Sequence, residues 1–162
     1  MINLNLHCHR LRSVWLALFV VIIDVSSKEW IIKHLMLHES ISIMPLFNFY
    51  YTRNFGAAFS FLSSQDEWHR WLLSSITSIL VMVLLVIIYF NYTDDKCNNL
   101  FYTLILGGAL GNLYDRIYRG FVIDFIDFYV GEWHFATFNI ADSAICMGSI
   151  FLILSKIINN KK

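Results

Sequence analysis

Two aspartates occupy positions that an apolar environment tolerates poorly. Asp124 lies in Val122-Ile123-Asp124-Phe125, just past the third long apolar segment, and Asp142 lies in Phe138-Asn139-Ile140-Ala141-Asp142-Ser143, at the start of the fourth. An ionised carboxylate placed mid-helix in a bilayer costs about 2.5–3.5 kcal/mol on insertion scales, so such residues persist mainly where they line a site or find partners. Two carboxylates within hydrogen-bonding reach cannot both ionise easily; they share a proton, one acting as base and the other as acid. Such a pair activates water and suits peptide hydrolysis with neither a metal nor a covalent intermediate. Asp142 has no cationic neighbour in sequence, so its partner comes from elsewhere; Asp124 is the first candidate and Asp127 a rival.

Other chemistries are poorly supplied. His7 and His9 lie on the opposite side of the bilayer from the aspartates, and His34, His38, His69 and His134 form no HExxH or comparable ligand set, so no metal site is expected. Ser26, Ser27, Ser60, Ser63, Ser64 and Ser143 fall near the same face as the aspartates, yet none sits in GxSxG or has a Lys or His at motif spacing. Cys8, Cys97 and Cys146 are an odd number in unrelated contexts and are expected to be structural thiols.

The elements that must position the aspartates follow from composition. Of 162 residues 57% are hydrophobic and only 15% charged, which points to a bilayer as solvent. Charge is balanced, 12 basic against 12 acidic residues, and no basic stripe or RNA-binding motif is present, so nucleic-acid binding is not expected. Four apolar stretches, about 12–33, 69–92, 97–117 and 137–158, are long enough to span a hydrocarbon core. The first follows Arg10 and Arg12 but lacks a small-residue cleavage site and runs into Asp24 and Lys28, so it reads as a retained span. The expectation is a single domain over 1–162, all-α apart from its outer loop, with four transmembrane helices.

Four spans put both termini on one side and the 36–68 and 118–136 segments on the other. Lys and Arg divide evenly between the two sides; discounting those inside polar clusters leaves the termini and the 91–97 loop as the cytoplasmic side. Trp30, Trp68, Trp71 and Trp133 then map to the outer boundary, where indoles favour a half-wet interface. In the first outer loop Ile41, Ile43, Leu46, Phe47, Phe49 and Tyr51 alternate with polar residues, a pattern that predicts short strands on the membrane surface, with Pro45 interrupting. Gly107 and Gly111 have GxxxG spacing, a small-residue face for close helix approach.

Polar residues converge on the outer ends of the spans. Asn112, Asp115 and Arg116 stand at i, i+3 and i+4, with Asp115 and Arg116 expected to direct hydrogen bonds toward the outer surface. Asn139 and Asp142 repeat the i, i+3 relation, and Asp24 and Lys28, at i and i+4, are placed to pair. A bland reading, in which these groups only bind helices together, stays open for Asp24, Lys28 and Asp115.

Five ordered motifs carry a resemblance: Asp24-Val25-Ser26-Ser27-Lys28, Arg53-Asn54-Phe55-Gly56-Ala57-Ala58-Phe59-Ser60, the segment from Gly107 to Arg116, Val122-Ile123-Asp124-Phe125, and Phe138-Asn139-Ile140-Ala141-Asp142-Ser143. Together they resemble the lipoprotein signal peptidase (signal peptidase II) family from the first span to the fourth. The resemblance implies an aspartyl endopeptidase of the bacterial cytoplasmic (inner) membrane, needing no cofactor, that cleaves diacylglyceryl-modified prolipoproteins on the N-terminal side of the lipid-bearing cysteine. Asp124 and Asp142 match the family's catalytic pair. Asn54, Asn112, Asp115, Arg116 and Asn139 match polar residues that line the site and hold the substrate, and Asp24 a supporting carboxylate; Gly56, Asp24 and Lys28 are expected to belong to the same substrate-binding set. Gly56, Ala57 and Ala58 match a loop that closes over the substrate in a small extracytoplasmic β-cradle. Lipidated prolipoproteins, membrane lipids and globomycin-type inhibitors are the implied partners, and the expected oligomeric state is a monomer. The same intramembrane acids would also suit a small proton-coupled transporter or a tetraspan scaffold.

Overall fold

A computed structural model describes residues 4–56, 67–90 and 96–159, with side chains from Trp15 onward except at 67, 96 and 97. Ala57, Ala58, Ser60, Ser63 and Ser64 lie outside the described residues, as do the side chains of His7, Cys8, His9 and Cys97. Four long helices, α1 (Leu4–His34), α2 (Glu67–Phe90), α3 (Lys96–Tyr118) and α4 (Ile140–Asn159), account for most of the chain. Two of them, over Trp68–Phe90 and Ile140–Asn159, are long and apolar enough throughout to cross a membrane. In α1 and α3 the apolar runs are broken by Asp24, Lys28 and Glu29 and by Asn112, Asp115 and Arg116.

Helix α3 is the hub and packs on the other three. Ala17, Val81, Leu84, Ile105, Leu106 and Ala109 bury the centre of the bundle, whereas Ile79, Met82, Val86, Ile150, Ile153 and Ile157 remain exposed on its outside. Large exposed aliphatics of this kind are costly in water and unremarked in lipid, where every backbone polar group must be satisfied within the helix.

Glycines set how closely the helices approach. A Cβ at Gly107 would lie 2.8 Å from Val20 Cβ, one at Gly111 2.5 Å from Asp24 Oδ2, and one at Gly108 2.3 Å from the backbone oxygen of Ala141. The Gly107–Gly111 face thus meets α1, while Gly108 meets the first turn of α4, which carries Asp142. Backbone cannot yield as a flexible side-chain tip can. Gly108→Val is therefore expected to destabilise the bundle by about 1–3 kcal/mol, the usual cost of overpacking, and to lower activity further by pushing Asp142 outward; thermal unfolding in detergent and a turnover assay of the folded fraction measure the two effects.

A small antiparallel sheet, ordered β1 (Ser40–Met44), β2 (Phe47–Asn54), β3 (Val122–Val130) and β4 (Trp133–His134), sits at one end of the bundle. The strands expected in the first outer loop are β1 and β2. Pro45 is the turn between them: it presets its own φ while Leu46 takes φ 72°, the pattern of a type II turn. Strand β3 was not anticipated between the third and fourth spans. Its Ile123 and Phe125, with Tyr51 of β2, pack on Ile31 near the end of α1 and on Leu35 just beyond it. Trp30, Trp68, Trp71 and Trp133 are all exposed at this end.

The C-terminus of α3 is closed from two sides. Gly120, at φ 85°, takes the left-handed conformation that ends the helix, with Arg119 N–H and Gly120 N–H both donating to Asp115 O. Arg70 at the start of α2 donates from Nε to Arg116 O at 2.8 Å and from a terminal nitrogen to Ile117 O at 2.6 Å, capping carbonyls that have no partner within the helix.

Candidate active site

Register and capping bring Asp124 and Asp142 together from two elements. Phe138 exchanges backbone hydrogen bonds with Ile126, so the residues leading into α4 run alongside β3 and deliver Asn139 beside Asp124. Asn139 caps α4: its Oδ1 accepts from Asp142 N at 2.9 Å, the third residue of the helix. The cap orients the amide, leaving Nδ2 to donate to Asp124 Oδ1 at 2.7 Å and Ile123 O at 3.2 Å. On the other strand, Thr52 pairs with Asp124, which makes Asn54 its diagonal neighbour on the same face; Asn54 Nδ2 donates to Asp124 Oδ2 at 3.0 Å. Both oxygens of this buried carboxylate are occupied.

Asp142 is half-buried, in the first turn of α4 where the helix dipole favours negative charge. Asn112 Nδ2 donates to its Oδ1 at 2.7 Å, and Asn112 Oδ1 accepts from Asn139 Nδ2 at 3.3 Å. The two carboxylates are thus joined through the amides of Asn112 and Asn139, a linkage that residue spacing does not reveal. Burial, and after it the negative charge of Asp142, push the Asp124 carboxyl up to about 7 against the opposing hydrogen bonds from Asn54 and Asn139.

Arg116 reaches over the pair from the end of α3, donating to Gly56 O at 3.1 Å, while Gly56 N–H donates to Asn54 Oδ1 at 3.0 Å. Its Nε is buried and has no partner among the described residues. Gly56, Asn54 and Arg116 therefore form one rim.

Asp24, Lys28 and Asp115 lie behind the carboxylates with no exposed side-chain surface. Lys28 Nζ donates to Asp24 Oδ2 at 2.7 Å, Asp115 Oδ2 at 2.9 Å and Asn112 Oδ1 at 3.1 Å. Asp24 Oδ1 accepts from Ala141 N–H at 2.8 Å, and Asp115 binds Arg119, which also binds Glu29. Asp115 therefore faces inward, opposite to the surface-directed orientation expected from its spacing, because Lys28 comes within reach of its Oδ2 once Gly111 lets α1 approach. Asp127 is engaged elsewhere, with His134 Nδ1 at 2.9 Å and Asn48 Nδ2 at 3.3 Å. Sequence reasoning passed over Arg70; an arginine opening an apolar span is the one signal that marked it.

Known proteins provide a comparison for this geometry. The family model described as Signal peptidase (SPase) II matches residues 16–158. A lipoprotein signal peptidase of Serratia proteamaculans is 50% identical over 144 residues, 89% of this chain and 85% of the relative. One of Photorhabdus laumondii is 50% identical over 149 residues, covering 92% and 89%. A solved bacterial membrane enzyme superposes with a TM-score of 0.82 at 34% identity, covering 93% of this chain and 92% of that one. A match that extends from the first helix to the last, with half the residues identical in its relatives, assigns the chain: it belongs to the signal peptidase II family, the bacterial membrane proteases that cleave signal peptides from prolipoproteins.

Proposed function

We propose that this protein is an aspartyl endopeptidase that cleaves diacylglyceryl-modified prolipoproteins just before the lipid-bearing cysteine, using Asp124 and Asp142. The observation that carries the reading is the pairing of a buried carboxyl held near neutrality with a second, half-buried carboxylate at the head of a helix, the first held by Asn54 and Asn139, the second by Asn112, and the two joined by the hydrogen bond from Asn139 to Asn112. All four helices cross the inner membrane, as one domain, and the sheet is the extracytoplasmic cradle. The substrate's acyl chains then stay in lipid while its peptide meets water at the outer rim. No cofactor is required, and the protein acts as a monomer.

Asp142 is the base and Asp124 the acid. A water held between them gives a proton to Asp142 as its oxygen attacks the scissile carbonyl carbon, and Asp124 donates its proton to the carbonyl oxygen, forming a neutral gem-diol. Collapse reverses the traffic: Asp142 protonates the leaving nitrogen and Asp124 recovers a proton from a gem-diol hydroxyl, so the pair ends as it began. The guanidinium of Arg116 and the amide of Asn54 are donors for the peptide backbone, Gly56 lets that backbone approach, and Asp24, Lys28 and Asp115 act through Asn112 by holding its amide in one orientation.

The direct test is incubation of the purified protein with a diacylglyceryl-modified precursor, the products identified by mass. Cleavage before the modified cysteine, unaffected by chelators and by serine or cysteine reagents and blocked by globomycin, is expected; zinc-restorable loss with a chelator would exclude the aspartyl mechanism. The pH profile gives a second check. The competent form holds one proton on Asp124, so kcat/KM should fall tenfold per unit above about pH 7. Asn54→Ala removes a donor that favours the charged form. Its falling limb should move to higher pH, by about one to two units for a charge-assisted hydrogen bond of roughly 1.5–3 kcal/mol; a limb that stays in place would mean another group sets it.

A further inference from the structure

An apolar hollow runs outward from Asp142 along α4. It encloses about 550 Å³ between Phe135, Thr137 and Phe138 on the approach to the helix and Ile145, Cys146 and Met147 on the helix itself. From Asp142 to Met147 the helix descends about 7 Å toward the bilayer centre. Phe135, Cys146 and Met147 are exposed, so the groove opens sideways onto lipid.

We propose that this groove seats one acyl chain of the substrate's diacylglyceryl group and that the signal peptide runs elsewhere. The inference rests on the proposed reaction and adds to it where the lipid goes. Connectivity is the first argument. Cleavage before the lipid-bearing cysteine releases that cysteine's nitrogen, and only Cα and Cβ separate this nitrogen from the sulfur that carries the glyceryl group. The lipid must therefore leave the site within a few bonds of the reacting carbon, and the groove has Asp142 itself as one wall. Size is the second argument. A helix 10–12 Å across occupies roughly 120–170 Å³ per residue, so a 7–15-residue signal-peptide core needs on the order of 1,000–2,000 Å³. The groove is better matched to one slender chain than to a whole signal-peptide helix. The hollow on α1 formed by Trp15, Leu16, Leu18, Phe19 and Ile22 contains no residue of the site and fails the connectivity requirement.

Because lipid tails are as apolar as the groove, little hydrophobic gain attends the transfer. The groove instead sets register: a seated chain fixes how far the scissile bond stands from Asp142. Its loss should therefore weaken turnover selectively for long-chain substrates.

Cys146→Trp and Met147→Trp place an indole in the groove from positions that already face lipid, so the bundle has no new clash to absorb, and Ile153→Trp, lower on the same exposed side, is the control. Against precursors with hexadecanoyl and with acetyl chains, the first two variants should lower kcat/KM tenfold or more for the long-chain form and less than twofold for the short one, while Ile153→Trp changes neither. A diazirine on the acyl chain, photolysed in Asp124→Asn protein, should label Phe138 or the 145–147 segment. An unchanged ratio between substrates, or labelling confined to 15–22 or to α2, overturns the acyl assignment while wild-type cleavage leaves the reaction standing. Failure of the wild type to cleave any diacylglyceryl precursor removes the reaction and the inference with it.

Discussion

Asp142→Asn is expected to lower kcat/KM for a lipidated precursor by at least about 10²–10⁴-fold, the range of a lost general base, with the bundle still folded. Asp142 donates nothing to the packing that an amide cannot replace: its Oδ1 accepts from Asn112, and an asparagine oxygen can do the same. Asp124→Asn should be equally inactive but behaves differently with pH. A group whose carboxyl is raised from 3.8 to about 7 on folding binds its proton more tightly in the native state, so its contribution to stability is present below pH 4 and lost as pH rises to 7. The neutral amide removes that dependence. It also forfeits one of two hydrogen bonds, since Asn54 and Asn139 both donate to Asp124, at a cost of about 1 kcal/mol. Relative to wild type, Asp124→Asn should be less stable at pH 4 and gain ground by pH 8, measured by thermal unfolding in detergent. Normal turnover in either variant would remove the pair from the chemistry.

Some of this arrangement is legible in the chain because it is local. Apolar runs of spanning length give the helices, although α1 starts at Leu4 because Arg10 and Arg12 do not interrupt helical propensity, and the fourth helix starts at Ile140 because Asn139 caps it. The i, i+4 spacing of Asp24 and Lys28 gives their ion pair, and alternation in the first outer loop gives β1 and β2. What local pattern cannot give is pairing between distant segments. Val122–Val130 is apolar with two acids three residues apart, which neither a helical nor an alternating template fits cleanly; it is a strand because β2, some 70 residues earlier, supplies its hydrogen bonds. The choice between Asp124 and Asp127 as neighbour of Asp142 hangs on that register, since only the former meets Asn54 and Asn139 while the latter meets His134. Asp115 is the same case in the helices: its i, i+4 relation to Arg119 is visible, but its turn toward Lys28 depends on the approach that Gly111 permits between α3 and α1.

Lys28→Met should be the most damaging single change to the fold. An ammonium has three donors, and each has a fully buried acceptor, on Asp24, Asp115 and Asn112. Methionine fills similar space and supplies none, leaving the Asp24 and Asp115 carboxylates to face each other without the cation between them. Breaking a buried ion pair from one side typically costs about 3–5 kcal/mol, a large part of the roughly 5–15 kcal/mol that holds an ordinary domain together. Yield of membrane-inserted protein and the unfolding midpoint in detergent should both fall sharply. Function suffers separately, because Lys28, with Asn139, points the oxygen of Asn112 away from Asp142; without the ammonium only the 3.3 Å bond from Asn139 opposes inversion of the amide, which would set an oxygen against the Asp142 carboxylate. The combination Asp24→Asn, Lys28→Met and Asp115→Asn tests the division between the two effects. Neutralising both acids removes the repulsion and should restore much of the fold, with Arg119 still held by Glu29, yet activity should stay low because Asn112 has lost its charged donor and keeps only the longer bond from Asn139. Recovery of full activity along with the fold would mean that the buried charges serve stability alone, and a Lys28→Met protein that unfolds at the wild-type midpoint would mean that the three acceptors find other partners.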